Sequence, residues 1–190
     1  MLEVLEIGSR EPRRIEEFVD LPFRLYARTP QWVPPFRSEI REILTRRHPF
    51  FEHSDAAFYL VRRKGRVLGR ISVFENRRFN SYRNRREARF YHFECADDEE
   101  AASALIEAAS EWALRRGLTE LRGPQGLSGM DGGGIQFEGF ERRATMTMMH
   151  YNHPYYPRFF ESRGFRKVRD FYTAEIPKAV FASGQQPVQE

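Results

Sequence analysis

The sequence predicts one α/β (α+β) domain, a mixed sheet with helices packed on it. Three observations predict it. The 190 residues suffice for one well-buried core and are short for two. Apolar residues alternate along some segments, as in half-buried strands, and recur at helical spacing along others. In chain order the segments run strand, helices, three strands, helix, strand, loop, strand, helix, strand, an order that a sheet with covering helices accommodates.

Residues 2–7 alternate apolar and acidic side chains and form the first strand. Ser9 is placed to cap the next helix, with Pro12 in its first turn. Ile15, Phe18, Val19 and Phe23 mark that helix, which Pro22 is expected to kink or end. Residues 29–36 hold three prolines and read as an extended loop anchored by Trp32. Residues 38–47 form a short helix whose end is packed by residues 48–51. Residues 56–63 and 66–75 are strand-like on either side of Lys64-Gly65, a hairpin signal. Residues 76–87 form a polar, arginine-loaded turn and 88–95 the next strand. Asp97 opens a helix, with Glu100 as its capping-box partner and an apolar stripe through Ala101, Leu105, Ala109 and Trp112. Gly117 stops it. A short strand over 118–122 precedes an irregular glycine-rich loop, 123–134. Residues 144–151 are expected as a strand. A helix begins at Pro154 and ends at Gly164, and 165–176 form a last strand. The domain spans 1–176, and 177–190 are expected to be a disordered tail.

Composition narrows the class. With 41% hydrophobic and 31% charged residues the chain is globular rather than disordered, and 17 phenylalanines make its core aromatic-rich. Lysine occurs only at Lys64, Lys167 and Lys178, so arginine carries almost all the positive charge. Arginine suits anionic partners, although a genome-wide codon bias is the plainer explanation. A net charge of +4 is too small a surplus to imply nucleic acid. Cys95 is the single cysteine, which excludes an internal disulfide and fits a reducing compartment. The N-terminus lacks a basic-then-apolar leader pattern, and no apolar run approaches the ~20 residues of a membrane span. A cytoplasmic protein with no membrane partner is expected.

The element order resembles that of the GNAT (Gcn5-related N-acetyltransferase) superfamily. Residues 154–176 are similar to its C-terminal helix-turn-strand, with the hallmark Gly164-Phe165. A closer match is to a group of largely uncharacterised bacterial GNAT-like proteins. It rests on Trp32-Val33-Pro34-Pro35, His48-Pro49-Phe50, Gly69-Arg70-Ile71, Phe93-Glu94-Cys95, Gly123-Pro124, Gly139-Phe140, Met148-Met149, Tyr151-Asn152 and Pro154-Tyr155-Tyr156. These cover residues 26–176. Members often carry a second acyltransferase-like half, and this chain resembles the first. The resemblance implies a mostly antiparallel, splayed sheet with helices on both faces. It also implies acyl-CoA or acetyl-CoA as cosubstrate and a small-molecule amine as acceptor.

Two departures bear on activity. The superfamily's phosphate loop, Gln/Arg-x-x-Gly-x-Gly/Ala, places backbone N–H groups around the CoA pyrophosphate. Here that position reads Ala96-Asp97-Asp98-Glu99-Glu100-Ala101. Its carboxylates suit a helix dipole and repel a pyrophosphate, so weak or absent CoA binding is expected. The frequent general-acid tyrosine, four residues before the glycine of Gly-Phe, is Phe160. Fold resemblance does not itself carry activity.

The candidate catalytic residues are Glu94, His92 and Tyr156. His92 and Glu94 stand two apart on one strand and face one side; a carboxylate beside an imidazole is a reasonable base for an amine. Half-buried polar residues bonded to nearby loops are the alternative. Tyr156 lies where a phenol can replace the acid missing at Phe160, and a tyrosine packed in the core is the alternative. By the resemblance, Phe93, Cys95, Asn152 and Tyr155 flank the acyl donor, with Asn152 as a helix cap the plainer reading. Tyr151 and Asp131 face the acceptor, Asp131 being the only charge in the glycine-rich loop. Cys95 reads as a packed thiol. Arginines alternating with Phe79, Tyr82 and Phe90 suit single-stranded nucleic acid, but a solvated hairpin tip is the usual explanation. No metal-binding motif is present. A homodimer or a partner protein is expected to cover the last strand's edge and the aromatics Trp32, Phe36, Phe50 and Phe51. A non-catalytic ligand- or protein-binding module is the competing function.

Overall fold

The computed structural model describes residues 1–128, 131–144 and 149–173. A five-stranded sheet runs in the order β1 (Leu2–Glu6), β2 (Asp55–Arg63), β3 (Arg66–Glu75), β4 (Glu87–Cys95) and β5 (Glu120–Arg122). The first four strands are antiparallel and β5 lies parallel to β4. The expected mixed, mostly antiparallel sheet is therefore present. Lys64 and Gly65, both at positive φ, make the two-residue turn between β2 and β3.

Alternation along the strands divides the core. Val61, Ile71, Val73, Ala88 and Phe90 face α4 (Glu99–Arg115) and α5 (Tyr156–Glu161). Phe58, Leu60 and Phe74 face α1 (Pro12–Leu25) and α2 (Arg37–Leu44) on the other side. Arg70 and Ser72 share the phase of Phe74 and so point towards α1.

Two irregularities shape the site. On β4, Tyr91 pairs with Ser72 and Glu94 with Arg70, so two residues of β4 oppose Ile71 alone. The extra residue is a bulge, and His92 sits at its kink with φ 48°. The second irregularity is that β5 leaves early. Its last ladder position is Arg122, followed by one bond from the Gln125 N–H to the Phe90 carbonyl, 2.9 Å. Beyond that point, from Tyr91 to Cys95, no strand among the described residues pairs with this edge of β4.

Several expectations are corrected. Glu11, not Ser9, holds the N-cap position of α1, because Pro12 fixes the first helical residue. Pro22 does not end α1, which continues to Leu25. Lacking an N–H, Pro22 leaves the Phe18 carbonyl without its donor, and the Arg70 Nη1 supplies one at 2.7 Å. The helix expected over 38–47 is Arg37–Leu44, closed by the Thr45 hydroxyl on the Arg41 carbonyl. The polar turn expected over 76–87 contains a helix, α3 (Arg77–Arg83), because the Asn76 side chain caps it and Asn84 takes the left-handed conformation that ends it. Asp98 rather than Asp97 caps α4. The last helix starts at Tyr156, two residues after Pro154, with Pro157 in its first turn. The strand expected over 144–151 falls mainly on 145–148, outside the described residues, and 149–151 are not in a strand. Residues 165–173 also form no strand. Residues 174–176 and the tail 177–190 lie outside the described residues. Among the described residues no helix is long and apolar enough to cross a membrane.

Candidate active site

The open edge of β4 is where the two faces of the sheet meet. Tyr26, just past the end of α1, approaches from one side, and Tyr156, at the start of α5, from the other. Each is only 2% exposed, and each donates its hydroxyl to the same oxygen, Oε2 of Glu94, at 2.7 Å. The two phenol oxygens lie 3.3 Å apart. The Tyr156 oxygen also accepts the Cys95 N–H at 2.9 Å, and the Tyr155 hydroxyl donates to the Cys95 carbonyl at 2.9 Å. The Cys95 backbone, on the strand edge that β5 abandons, is thus satisfied by two consecutive tyrosines.

Aromatic rings fix this geometry. Tyr26 is stacked on Trp32 on one side and on His153 on the other, with centroids 5.0 and 4.6 Å away. The edge of Tyr151 meets it at 6.0 Å, and His153 stacks in turn on Tyr155. Tyr156 rests against Phe93 and Phe159 in the core.

Burial raises the Glu94 carboxyl above its usual range; Arg70 and the Tyr156 and Tyr26 hydroxyls oppose that by stabilising the charged form. Burial next to Glu94 pushes both phenols well above theirs, so both hold their protons. His92 is pushed well below the ordinary imidazole range, by burial first and then by Arg70 and His150, and is neutral. The Cys95 thiol is driven upward by burial and by Asp98 and Glu94, which removes its nucleophilic form.

The structure brings Glu94, Tyr156, Tyr155 and the Cys95 backbone into one hydrogen-bonded cluster. His92 faces the same side of the sheet as Glu94, yet its Nδ1 meets the Ser72 hydroxyl at 3.0 Å and its ring packs on Phe18. The Phe93 ring and the Cys95 side chain point into the core. Asn152 is buried and does not cap α5. It is bonded to both backbone groups of Gln136 and pins that loop near the site. Tyr151 donates to the Phe140 carbonyl at 3.2 Å. Asp131 accepts the Ser128 N–H within its own loop and acts on Tyr91 and His150 through its charge. Tyr26 and Arg70 are site residues with no role expected from sequence, and Trp32, expected as a loop anchor and a partner-covered aromatic, stacks on Tyr26. Arg70 had a readable signal, a charged residue in the inward phase of an apolar strand.

At the N-terminus of α4 the Asp98 carboxylate accepts the Ala101 N–H at 3.0 Å. Arg63 pairs with Asp98 and Glu100, and Arg158 with Asp97. The Asp98 side chain thus takes one N–H of that helix end, and Arg63 and Arg158 pair its carboxylates. Among the described residues no group of three or more His, Cys, Asp or Glu side chains can hold a metal ion. On α3 and its flanks, Arg77, Arg85 and Arg89 are paired with Glu75, Glu120 and Glu87.

No family model matches the chain. It is 31% identical over 182 residues to the bacterial ceramide synthase of Caulobacter vibrioides, covering 90% of this chain and 47% of that protein. It is 26% identical over 153 residues to protein YghO of Escherichia coli, covering 80% of this chain and 39% of that one. The chain spans about half the length, or less, of these curated relatives. Among solved structures, a tandem GNAT protein from the clavulanic acid biosynthesis pathway superposes on 61% of this chain and 34% of its own, with a TM-score of 0.50 and 19% identity. An aminoglycoside acetyltransferase from an uncultured soil metagenomic sample superposes on 92% of this chain and 97% of its own, with a TM-score of 0.53 and 10% identity. The chain has the GNAT-superfamily fold.

Proposed function

We propose that this chain is a cytoplasmic GNAT-fold domain that transfers an acyl group from an acyl-CoA thioester to an amine, with Glu94 as general base and Tyr156 as general acid. One observation carries the reading: a half-buried carboxylate holds two phenols on one oxygen, at an edge of a bulged strand with which no strand among the described residues pairs. Oε2 is engaged by Tyr26 and Tyr156, so Oε1 is the oxygen left for a substrate proton. The amine nitrogen attacks the thioester carbonyl and gives its proton to Glu94. The C–S bond breaks, and the leaving thiolate takes the Tyr156 proton. Rotation of the carboxyl group then brings the proton taken on Oε1 to the Tyr156 oxygen, which lies 2.7 Å from Oε2 at rest, and both groups are restored. Tyr26 holds the carboxylate in place, and neutral His92 borders the base without bonding to it. Asn152 and Tyr155 flank the donor, and Tyr151 and Asp131 the acceptor, while Phe93 and Cys95 support the site from the core.

A ceramide is an amide of a long-chain amino alcohol, and making one joins an acyl group to an amine. The likeness to a ceramide synthase therefore supports amide formation and suggests a long-chain amino alcohol as acceptor. The capped, acidic start of α4 argues for a weakened grip on the CoA phosphates, a degenerate form of the superfamily's loop. The same observation favours a second reading, a non-catalytic ligand- or protein-binding module. Exposed Val168, Phe171 and Tyr172 suit cover by a second copy or a partner protein.

The test incubates the full chain with acetyl-CoA or a long-chain acyl-CoA and with a long-chain amino alcohol or a short amine. Amide product by mass spectrometry, with stoichiometric thiol release, is expected for at least one pair. No amide from any pair, together with no calorimetric binding of either acyl-CoA, would favour the second reading.

A further inference from the structure

We propose that Arg70 is a positioning residue for Glu94: from across the β3–β4 pair, its buried guanidinium acts through space to keep that carboxylate charged. Its use in catalysis rests on the acyltransferase reading; the coupling itself rests on geometry.

Arg70 is 2% exposed and lies on the face that packs against α1. A guanidinium does not give up its proton in a protein, so a permanent positive charge is buried there. A buried charge is tolerated when an opposite charge meets it. Glu94 is the register partner of Arg70, and opposed residues of an antiparallel pair place their side chains side by side on one face. Glu94 also acts on Arg70 more strongly than the tyrosines around it do.

The arginine is clamped, and the clamp is written in the sequence. Pro22 in α1 has no N–H for the Phe18 carbonyl four residues earlier. The Arg70 Nη1 takes that carbonyl at 2.7 Å, and its guanidinium carbon lies 4.8 Å from the centre of the Phe18 ring. The Arg70 Nε has no hydrogen-bond partner among the described residues. A proline inside a helix thus creates the acceptor that holds a strand arginine opposite the base. The two phenol hydrogen bonds to Oε2 act in the same direction, since both are donated to a carboxylate.

The surroundings make the effect separable. The ionisable groups around Glu94 are Tyr26 behind α1, Arg70 on β3, Tyr91, His92 and Cys95 on β4, His153, which burial pushes down, and Tyr155 and Tyr156 at the start of α5. Asp131 and His150 lie beyond Tyr91. Burial raises all four phenols and the thiol, Tyr91 to about 12. His92 and His150 are both pushed down by burial and stay neutral near neutral pH.

The experiment follows the carboxyl C=O infrared band of Glu94 in the full chain from about pH 4 to about pH 9, assigned by its loss in Glu94→Gln. Wild type is expected to lack the protonated band at about pH 7. In Arg70→Met the band should persist to a pH higher by about 1–3 units, while Arg70→Lys, which keeps the charge, should titrate near wild type. The acid limb of the transfer rate should move with the band. A protonated Glu94 in wild type at neutral pH, or an Arg70→Met titration that overlays wild type, overturns the proposal. If Arg70→Met does not fold, the wild-type spectrum decides: an ionised Glu94 at neutral pH supports the proposal and a protonated one overturns it. A band that behaves as expected in a protein that transfers no acyl group would sink the acyltransferase reading and leave the Arg70–Glu94 coupling standing.

Discussion

Replacing Tyr156 by phenylalanine removes one oxygen and leaves the ring that packs on Phe93 and Phe159. That oxygen does two jobs. It donates to Glu94 Oε2 at 2.7 Å and accepts the buried Cys95 N–H at 2.9 Å. A hydrogen bond to a charged group is worth about 1.5–3 kcal/mol, and a buried N–H left unpaired costs about 1–3 kcal/mol. The two losses share one atom and do not simply add, so a destabilisation of about 2–4 kcal/mol is expected. For a chain of this length that lowers the melting temperature by roughly 5–15 °C. Tyr155→Phe loses a single neutral bond to the Cys95 carbonyl and should cost about 0.5–1.5 kcal/mol. The Tyr156 penalty also has a pH signature. Its bond favours the ionised carboxylate, so the penalty is full above the folded pKa that Glu94 has in the variant, which burial and the lost bond both raise, and shrinks as pH falls from there to the wild-type one. Urea titrations of the three proteins at neutral and mildly acidic pH measure all of this. A Tyr156→Phe penalty below about 0.5 kcal/mol, or one smaller than that of Tyr155→Phe, would refute the reasoning.

Acetyl-CoA should bind with a dissociation constant of about 0.1 mM or weaker, and more tightly when Glu99 and Glu100 become glutamines; tight calorimetric binding unmoved by those changes would contradict the view of α4 as a poor phosphate site. Gly69→Ala should cost about 1–3 kcal/mol in urea, because a Cβ there would meet Leu105 Cδ1 at 2.8 Å and Cys95 Sγ and the Glu94 carbonyl at 3.0 Å. Sedimentation at micromolar concentration should show a homodimer or a complex with a partner protein; a clean monomer with no partner recovered would overturn that proposal.

Much of the sheet was legible because its signals are local. The Lys64-Gly65 hairpin and the apolar stripe from Ala101 to Trp112 each declare themselves within a few residues. The helix Arg77–Arg83 was hidden because its polar, arginine-rich surface carries little apolar periodicity, and its clearest marks are the Asn76 and Asn84 caps. That α1 runs on past Pro22 was not legible, because the cost of a helical proline depends on what else can use the freed carbonyl, and Arg70 stands almost fifty residues further along the chain. Glu94 and Tyr156 were nameable from sequence. Their meeting was not, since it requires β5 to leave β4 at the right place and α1 to deliver Tyr26 from the opposite face. The His92 bulge is likewise a matter of register, which alternation alone does not reveal.

The most direct test of the central claim is the single-turnover rate of amide formation by wild type and by Glu94→Gln under the same conditions, with near-ultraviolet circular dichroism confirming the fold of each. Positioned proton transfer is worth about 100-fold or more, so the account predicts at least that loss in a folded Glu94→Gln protein. Amide formation at the wild-type rate by that protein would contradict it.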